Sequence, residues 1–178
     1  MKKHLAATVL AGMFSAGQAA SGTALSGTIF EKVGNEFAID PALLYAVSLC
    51  ESGFKAAGDE KRRPWPWTLR YPGGALYAAS KKDAELELKR LRNLGVTSVD
   101  AGLMQINLRW HRDRIKDADI LDPATNLRFG ARILKEALNS APENIALGIA
   151  RFHSWTDAER QRNYSTRVLR TYRRLKDL

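Results

Sequence analysis

Along most of this chain apolar residues return every three or four positions, the period of a helix with one face against a core. In TIFEKVGNEF, Ile29, Val33 and Phe37 fall four apart and predict a short amphipathic helix. Asp40 and Pro41 form a cap and a first-turn proline ahead of LLYAVSLCES, which runs to Gly53 and predicts a helix over about 41–52. A second Asp-Pro pair, Asp122 and Pro123, opens ATNLRFGARILKEALNS, with Leu127, Ala131, Leu134 and Leu138 on one face. Pro142 precedes a further helical stretch, ENIALGIARFHSW. The chain closes on NYSTRVLRTYRRLKDL, where Tyr164, Val168 and Tyr172 repeat the spacing of four.

The stretch from 55 to 101 breaks this rhythm. It starts polar and basic, then places two short aromatic and β-branched runs around YPGG, a Pro-Gly turn suited to a hairpin. Pro66 places the first run at a sheet edge, since proline donates nothing to a ladder. Ser80 and Asp83 read as a capping pair for KKDAELELKRLRNLG, with Ala84, Leu88 and Leu91 facing inward and Glu85 and Lys89 paired on the surface. The expected class is mainly α (α+β): a helical domain with a β-hairpin and one helix inserted at 55–101.

The beginning of the chain reads as an address. Lys2 and Lys3 precede the apolar run LAATVLAGMF, and Gly17 and Ala19 occupy the small positions that a signal peptidase reads. Cleavage after Ala19 is expected, leaving residues 20–178 as a single domain in the periplasm. The apolar run is too short to span a bilayer, and no later segment suits a membrane helix. Losing Lys2 and Lys3 lowers the net charge of +9 by two, and the remaining excess favours polyanionic partners. Export argues against nucleic acid and toward an envelope polymer. Cys50 is the only cysteine, so no internal disulfide is possible. With no second cysteine, His111 and His153 make a poor metal site, and neither metal nor cofactor is expected.

One acidic residue stands out. Leu44, Val47 and Glu51 share a helix face, so the stripe that meets the core ends in a carboxylate. Burial and the helix C-terminal dipole would both raise its pKa, as a general acid for glycosidic cleavage requires. On position alone, a side chain turned to solvent at the helix end is an equal reading.

A second stretch changes that balance. ESGF (Glu51 to Phe54), followed downstream by DAGLMQIN (Asp100 to Asn107), resembles the core of lytic transglycosylases of the soluble (SLT) type, in the lysozyme-like superfamily. The resemblance extends over most of 28–175 and includes Tyr164 four before Val168. It implies a lysozyme-like fold and cleavage of the MurNAc-β-1,4-GlcNAc bond of peptidoglycan glycan strands, with Glu51 as acid and then base. It also implies that Ser52, Met104, Gln105, Asn107 and Tyr164 line the groove or position substrate or the glutamate. A PWPWTL segment, Pro64 to Leu69, resembles a specialised subgroup serving secretion, pilus or conjugation machines. The chain departs from the family where Tyr-Asn-Ala-Gly is usual and Phe152, His153, Ser154 and Trp155 stand instead.

Asp100 leaves the chemistry open. Animal-type lysozymes also place an aspartate two before the glycine, so Asp100 is either an electrostatic helper or a turn residue bonding nearby amides. With it acting, a hydrolytic muramidase is the rival reading; a non-catalytic wall-binding factor is the other. Trp65, Trp67 and Tyr77 suit either sugar faces or cover for the helices beneath. Cys50 reads as a small buried side chain, and the basic C-terminal run as a solvated helix end.

Overall fold

The computed structural model describes residues 25–177; the leader-like residues 1–19 lie outside the described residues. Among the described residues there are seven helices: α1 (Ile29–Phe37), α2 (Pro41–Ser52), α3 (Lys81–Asn93), α4 (Arg112–Ile115), α5 (Pro123–Asn139), α6 (Ile145–His153) and α7 (Ala158–Lys176). All but α4 begin on a side chain that accepts a first-turn N–H: Thr28, Asp40, Ser80, Asp122, Asn144 and Asp157. The Asp157 carboxylate takes the N–H groups of Glu159 and Arg160, which starts α7 well before the predicted NYSTR segment. Helix α4 adds to the predicted set; its single turn is too short to show a period.

Among the described residues a contiguous apolar cluster unites α1, α2, α3, α5, α6 and α7 with the sheet. Leu44, Val47, Leu127, Ala131, Leu134, Tyr164 and Val168 are buried, as their spacing predicts. In α1 the inward face is Phe30 and Val33, with Ile29 and Phe37 only half-buried at its margins. On α3 Glu85 pairs with Lys81 at 3.3 Å and not with Lys89.

The sheet is larger than a hairpin. Strands β3 (Thr68–Tyr71) and β4 (Gly74–Tyr77) form the expected hairpin about Pro72 and Gly73, the glycine at φ 91° as a type II turn demands. Two short strands, β5 (Asp100–Ala101) and β6 (Ile106–Asn107), extend it in the order β4-β3-β5-β6. A separate pair, β1 (Gly53–Phe54) with β2 (Arg63–Pro64), ties the end of α2 to the insertion. Strand β3 is therefore internal and not an edge. The ladder begins at Thr68, so the missing N–H of Pro66 falls outside it.

Two long-range ties lock the helices and the sheet together. Helices α2 and α7 pack antiparallel. At the N-terminal end of α2, Asp40 accepts from Tyr172 at 2.8 Å and Lys176 at 3.2 Å while capping the helix through Ala42 at 2.8 Å. Those bonds outweigh its partial burial and hold the Asp40 carboxyl below its ordinary pKa. The second tie is Asn126 on α5, 1% exposed. Its amide donates to the carbonyls of Ala101 (2.9 Å) and Ile120 (3.0 Å), and its oxygen accepts from Met104 N–H at 2.8 Å. One buried side chain thus gathers three backbone groups in and around the DAGLMQIN loop. Gly102, at φ 81°, passes so close that a Cβ would lie 2.2 Å from the Asn126 amide nitrogen.

Asn126→Ala strands three buried backbone groups, and a loss of about 2–4 kcal/mol in unfolding free energy is expected by denaturant titration. Asn126→Asp, which keeps the acceptor for Met104 but loses both donated bonds, should fall between Ala and wild type.

Candidate active site

Glu51 lies in the last turn of α2, one residue before Ser52 ends the helix. Its carboxyl is packed against α7 and the sheet, and desolvation pushes its pKa up from 4.5 to about 7. Opposing that rise are the Tyr164 hydroxyl that faces it and the positive charges of Arg70 and Arg167; Asp100 adds to it. The side chain is thus turned to the core edge and not to solvent.

Tyr164 is 1% exposed, and its hydroxyl makes no hydrogen bond of ordinary geometry within the protein. Burial, and then the adjacent Glu51 carboxyl, push its pKa up and keep the hydroxyl protonated. Its ring is covered by His153, stacked at 4.4 Å and 3°, with Phe152 at 6.4 Å. The Arg167 guanidinium lies 5.7 Å from the same ring. His153 is also within electrostatic reach of the Asp100 carboxyl. Burial, then Arg167 and Arg160, holds its pKa below the ordinary value.

Asp100 comes from β5, directly across the ladder from Arg70 on β3 and Asn107 on β6. It is not a turn cap: its carboxylate accepts from the Asn107 amide at 2.7 Å. Burial raises its pKa, while Asn107, Arg70 and His153 pull it back. Asn107 is committed at both ends, since its oxygen accepts from the backbone N–H groups of Arg109 (3.1 Å) and Trp110 (3.0 Å). It orients Asp100 and ends the strand.

Three of the residues expected at the groove have structural posts instead. Ser52 is fully buried and cannot touch substrate; its hydroxyl donates to Ser48 and Leu103 carbonyls at 3.1 and 2.9 Å. It also accepts from Trp65 N–H at 3.3 Å, so it joins the end of α2 to both the motif loop and the insertion. Met104 does not line the groove either. It is 1% exposed, accepts from the Ser48 hydroxyl at 2.9 Å, and presses on α5 where only Gly130 leaves room. The Gln105 amide nitrogen donates to Thr68 and Gly102 carbonyls at 3.1 and 2.9 Å, which holds a residue at φ 46° and leaves no donor on that side chain for a sugar.

The insertion forms an aromatic wall beside this loop. Tyr77 stacks on Phe54 at 4.5 Å, Trp65 meets Phe54 edge-on at 5.4 Å, and Trp67 meets Trp65 at 6.2 Å. Trp65 Nε1 donates to the Ala78 carbonyl at 2.7 Å. These rings largely cover one another. Behind the β5–β6 ribbon, on the side opposite Asp100, lies a separate cleft of about 600 Å³ lined by Leu88, Val99, Leu108, Arg92 and Arg109. Among the described residues no group of three or more His, Cys, Asp or Glu is placed to hold a metal ion. No described helix is long and apolar enough to cross a membrane. Cys50 is a free, half-buried thiol whose pKa burial raises, which disfavours the thiolate.

Glu51 thus ends the buried face of α2, with the Asp100 carboxyl near enough to raise its pKa further. The Transglycosylase SLT domain family matches residues 28–166. The chain belongs to that family. No match was found among curated proteins or among solved structures. As a member of the SLT family, the chain has the α-rich lysozyme-like fold of a lytic transglycosylase, an enzyme class that acts on peptidoglycan. Arg70, Asn126 and the stacked position of His153 were not read as site residues from sequence. Arg70 became visible only through its register with Asp100. A polar residue beside the apolar stripe of α5 was the one available signal for Asn126.

Because the folded-state pKa of Glu51 lies above its ordinary value, the carboxyl costs no stability below about pH 4.5. The cost grows as pH rises from about 4.5 and is fully present once pH has passed through about 7. Glu51→Gln should therefore match wild type in stability near pH 4 and exceed it by up to about 3 kcal/mol at pH 8. Thermal melts at the two pH values check this, and an equal gain at both would contradict it.

Proposed function

We propose that the chain cleaves the MurNAc-β-1,4-GlcNAc bond of peptidoglycan with Glu51 as sole proton carrier, leaving 1,6-anhydroMurNAc. The observation that carries this reading is the Glu51 carboxyl, whose pKa burial at the end of α2 pushes up to about 7. The protonated carboxyl donates to the glycosidic oxygen as the C1–O bond breaks. The sugar's own acetamido group supports the positive charge at C1. The Glu51 carboxylate then takes the proton of the C6 hydroxyl as that oxygen closes on C1, which restores the acid and consumes no water. Tyr164, Arg70 and Arg167 moderate the carboxyl in both states, and Ser52 fixes the helix end that bears it.

A hydrolytic reading is the second candidate because Asp100 approaches the same space. Against it stands the engagement of Asp100 with Asn107, which suits an electrostatic helper better than a nucleophile. A non-catalytic wall-binding role leaves the cost of the buried Glu51 carboxyl without a purpose. The leader pattern supports export to the periplasm, and the PWPWTL segment supports local wall clearance for a secretion, pilus or conjugation apparatus.

Digestion of purified sacculi followed by mass spectrometry separates the readings. Transglycosylation gives muropeptides lighter by one water than hydrolysis does. Glu51→Gln should lower release by about 10²–10⁴-fold, whereas Asp100→Asn should cost far less. Only the protonated carboxyl is competent for the first step, so kcat/KM should fall about tenfold per pH unit above roughly 7. A rate independent of pH from 6 to 9 would remove Glu51 from the acid role.

A further inference from the structure

The chain has four tryptophans, divided into two kinds. Trp65 and Trp67 are half-buried in the aromatic wall, whereas Trp110 and Trp155 are 77% and 61% exposed. Exposure of one large apolar side chain means little by itself. These two, however, are both attached to the residues that surround the carboxyls. Trp110 N–H donates to Asn107, whose amide holds Asp100. Trp155 lies two residues beyond His153, whose ring covers Tyr164. One indole thus rises from the sheet side and the other from the end of α6.

Neither indole sits on a loose segment. Ser154 N–H donates to the Ala150 carbonyl at 3.0 Å, its own carbonyl accepts from Gln161 at 2.8 Å, and its hydroxyl accepts from Asp157 N–H at 3.2 Å. Each ring also carries a guanidinium: Arg109 lies 5.8 Å from the Trp110 ring and Arg151 lies 5.3 Å from the Trp155 ring. Arg151 is anchored to the Ser140 carbonyl and hydroxyl at 2.7 and 2.9 Å, so the indole beneath it is oriented before any ligand arrives. A ring braced in this way, with an open apolar face and a cation beside it, suits a pyranose that carries a carboxylate substituent. The apolar C–H face lies on the indole, and the charge meets the guanidinium.

We propose that Trp110 and Trp155 are outer saccharide platforms of the cleft. They hold rings of one N-acetylated, carboxylate-bearing β-1,4-glycan strand beyond the two sugars that flank the scissile bond. This assignment rests on the reading of the Glu51 site as a peptidoglycan transglycosylase. It gives the site a reach that the half-buried aromatic wall does not supply, and it explains why two indoles stand in water while the other two are half-buried.

The test uses the Glu51→Gln protein, so that the polymer stays intact, with sedimentation on purified sacculi as the readout. Glu51→Gln should sediment with the sacculi. Adding Trp110→Ala or Trp155→Ala should weaken binding by about five- to tenfold each, and phenylalanine at either position should restore most of it. Melting curves should be unchanged, because both indoles are exposed. If an alanine variant does melt early, Trp→Leu against Trp→Phe carries the comparison, and equal affinities overturn the proposal. Sacculus binding by the triple variant as tight as that of Glu51→Gln alone also overturns it and leaves the catalytic reading intact. Failure of Glu51→Gln itself to sediment overturns the peptidoglycan reading and the platforms with it.

Discussion

A carboxyl group set against hydrocarbon is the constraint that organises this fold. Glu51 ends the apolar face of α2, where ionisation is opposed by desolvation and by the dipole of its own helix. Left alone, such a side chain would swing out to water. It is kept in place because α7 lies along α2 and brings the Tyr164 hydroxyl to it, with Arg167 one turn further on. The pairing of Asp40 with Tyr172 and Lys176 clamps the other end of the same helix pair. The two ends are thus mechanically linked through α2 and α7, one supplying stability and the other giving some of it up to hold a desolvated carboxyl.

The DAGLMQIN loop divides its labour in a way its resemblance to a groove lining conceals. Asp100 alone presents an ionisable side chain toward the cleft. Met104 is a core side chain seated over Gly130, Gln105 splints its own strained backbone, and Asn107 aims Asp100. Asn126 gathers the loop's free backbone groups from below. The motif therefore reads as a device that holds one acidic residue at a fixed height above α2.

Much of this was legible beforehand, for a simple reason: helix caps and apolar spacing are local. Asp40, Ser80 and Asp122 announced their helices, and Glu51 stood out because it interrupted a stripe. What stayed hidden depends on partners far along the chain. The position of Arg70 opposite Asp100 follows from a strand register, and a two-residue strand such as β5 has no sequence period. Pro66 pointed to an edge strand because the ladder's starting residue cannot be read from composition. Met104 and Ser52 were placed toward the groove because motif membership says that residues lie near a site, not which way they face. The stacking of His153 on Tyr164 joins α6 to α7 and was likewise outside any local pattern.

The antiparallel seating of α7 on α2 also governs when the site can exist. Tyr172 and Lys176 meet Asp40 across 132 and 136 positions of sequence, and Tyr164 reaches Glu51 across nearly as long a span. A chain emerging from its N-terminus exposes Glu51 early, but the packing that buries its carboxyl is complete only with the last helix. Until α7 docks, that carboxyl stays open to water and behaves as an ordinary glutamate. The order of residues thus withholds the desolvated carboxyl from every partial product of synthesis.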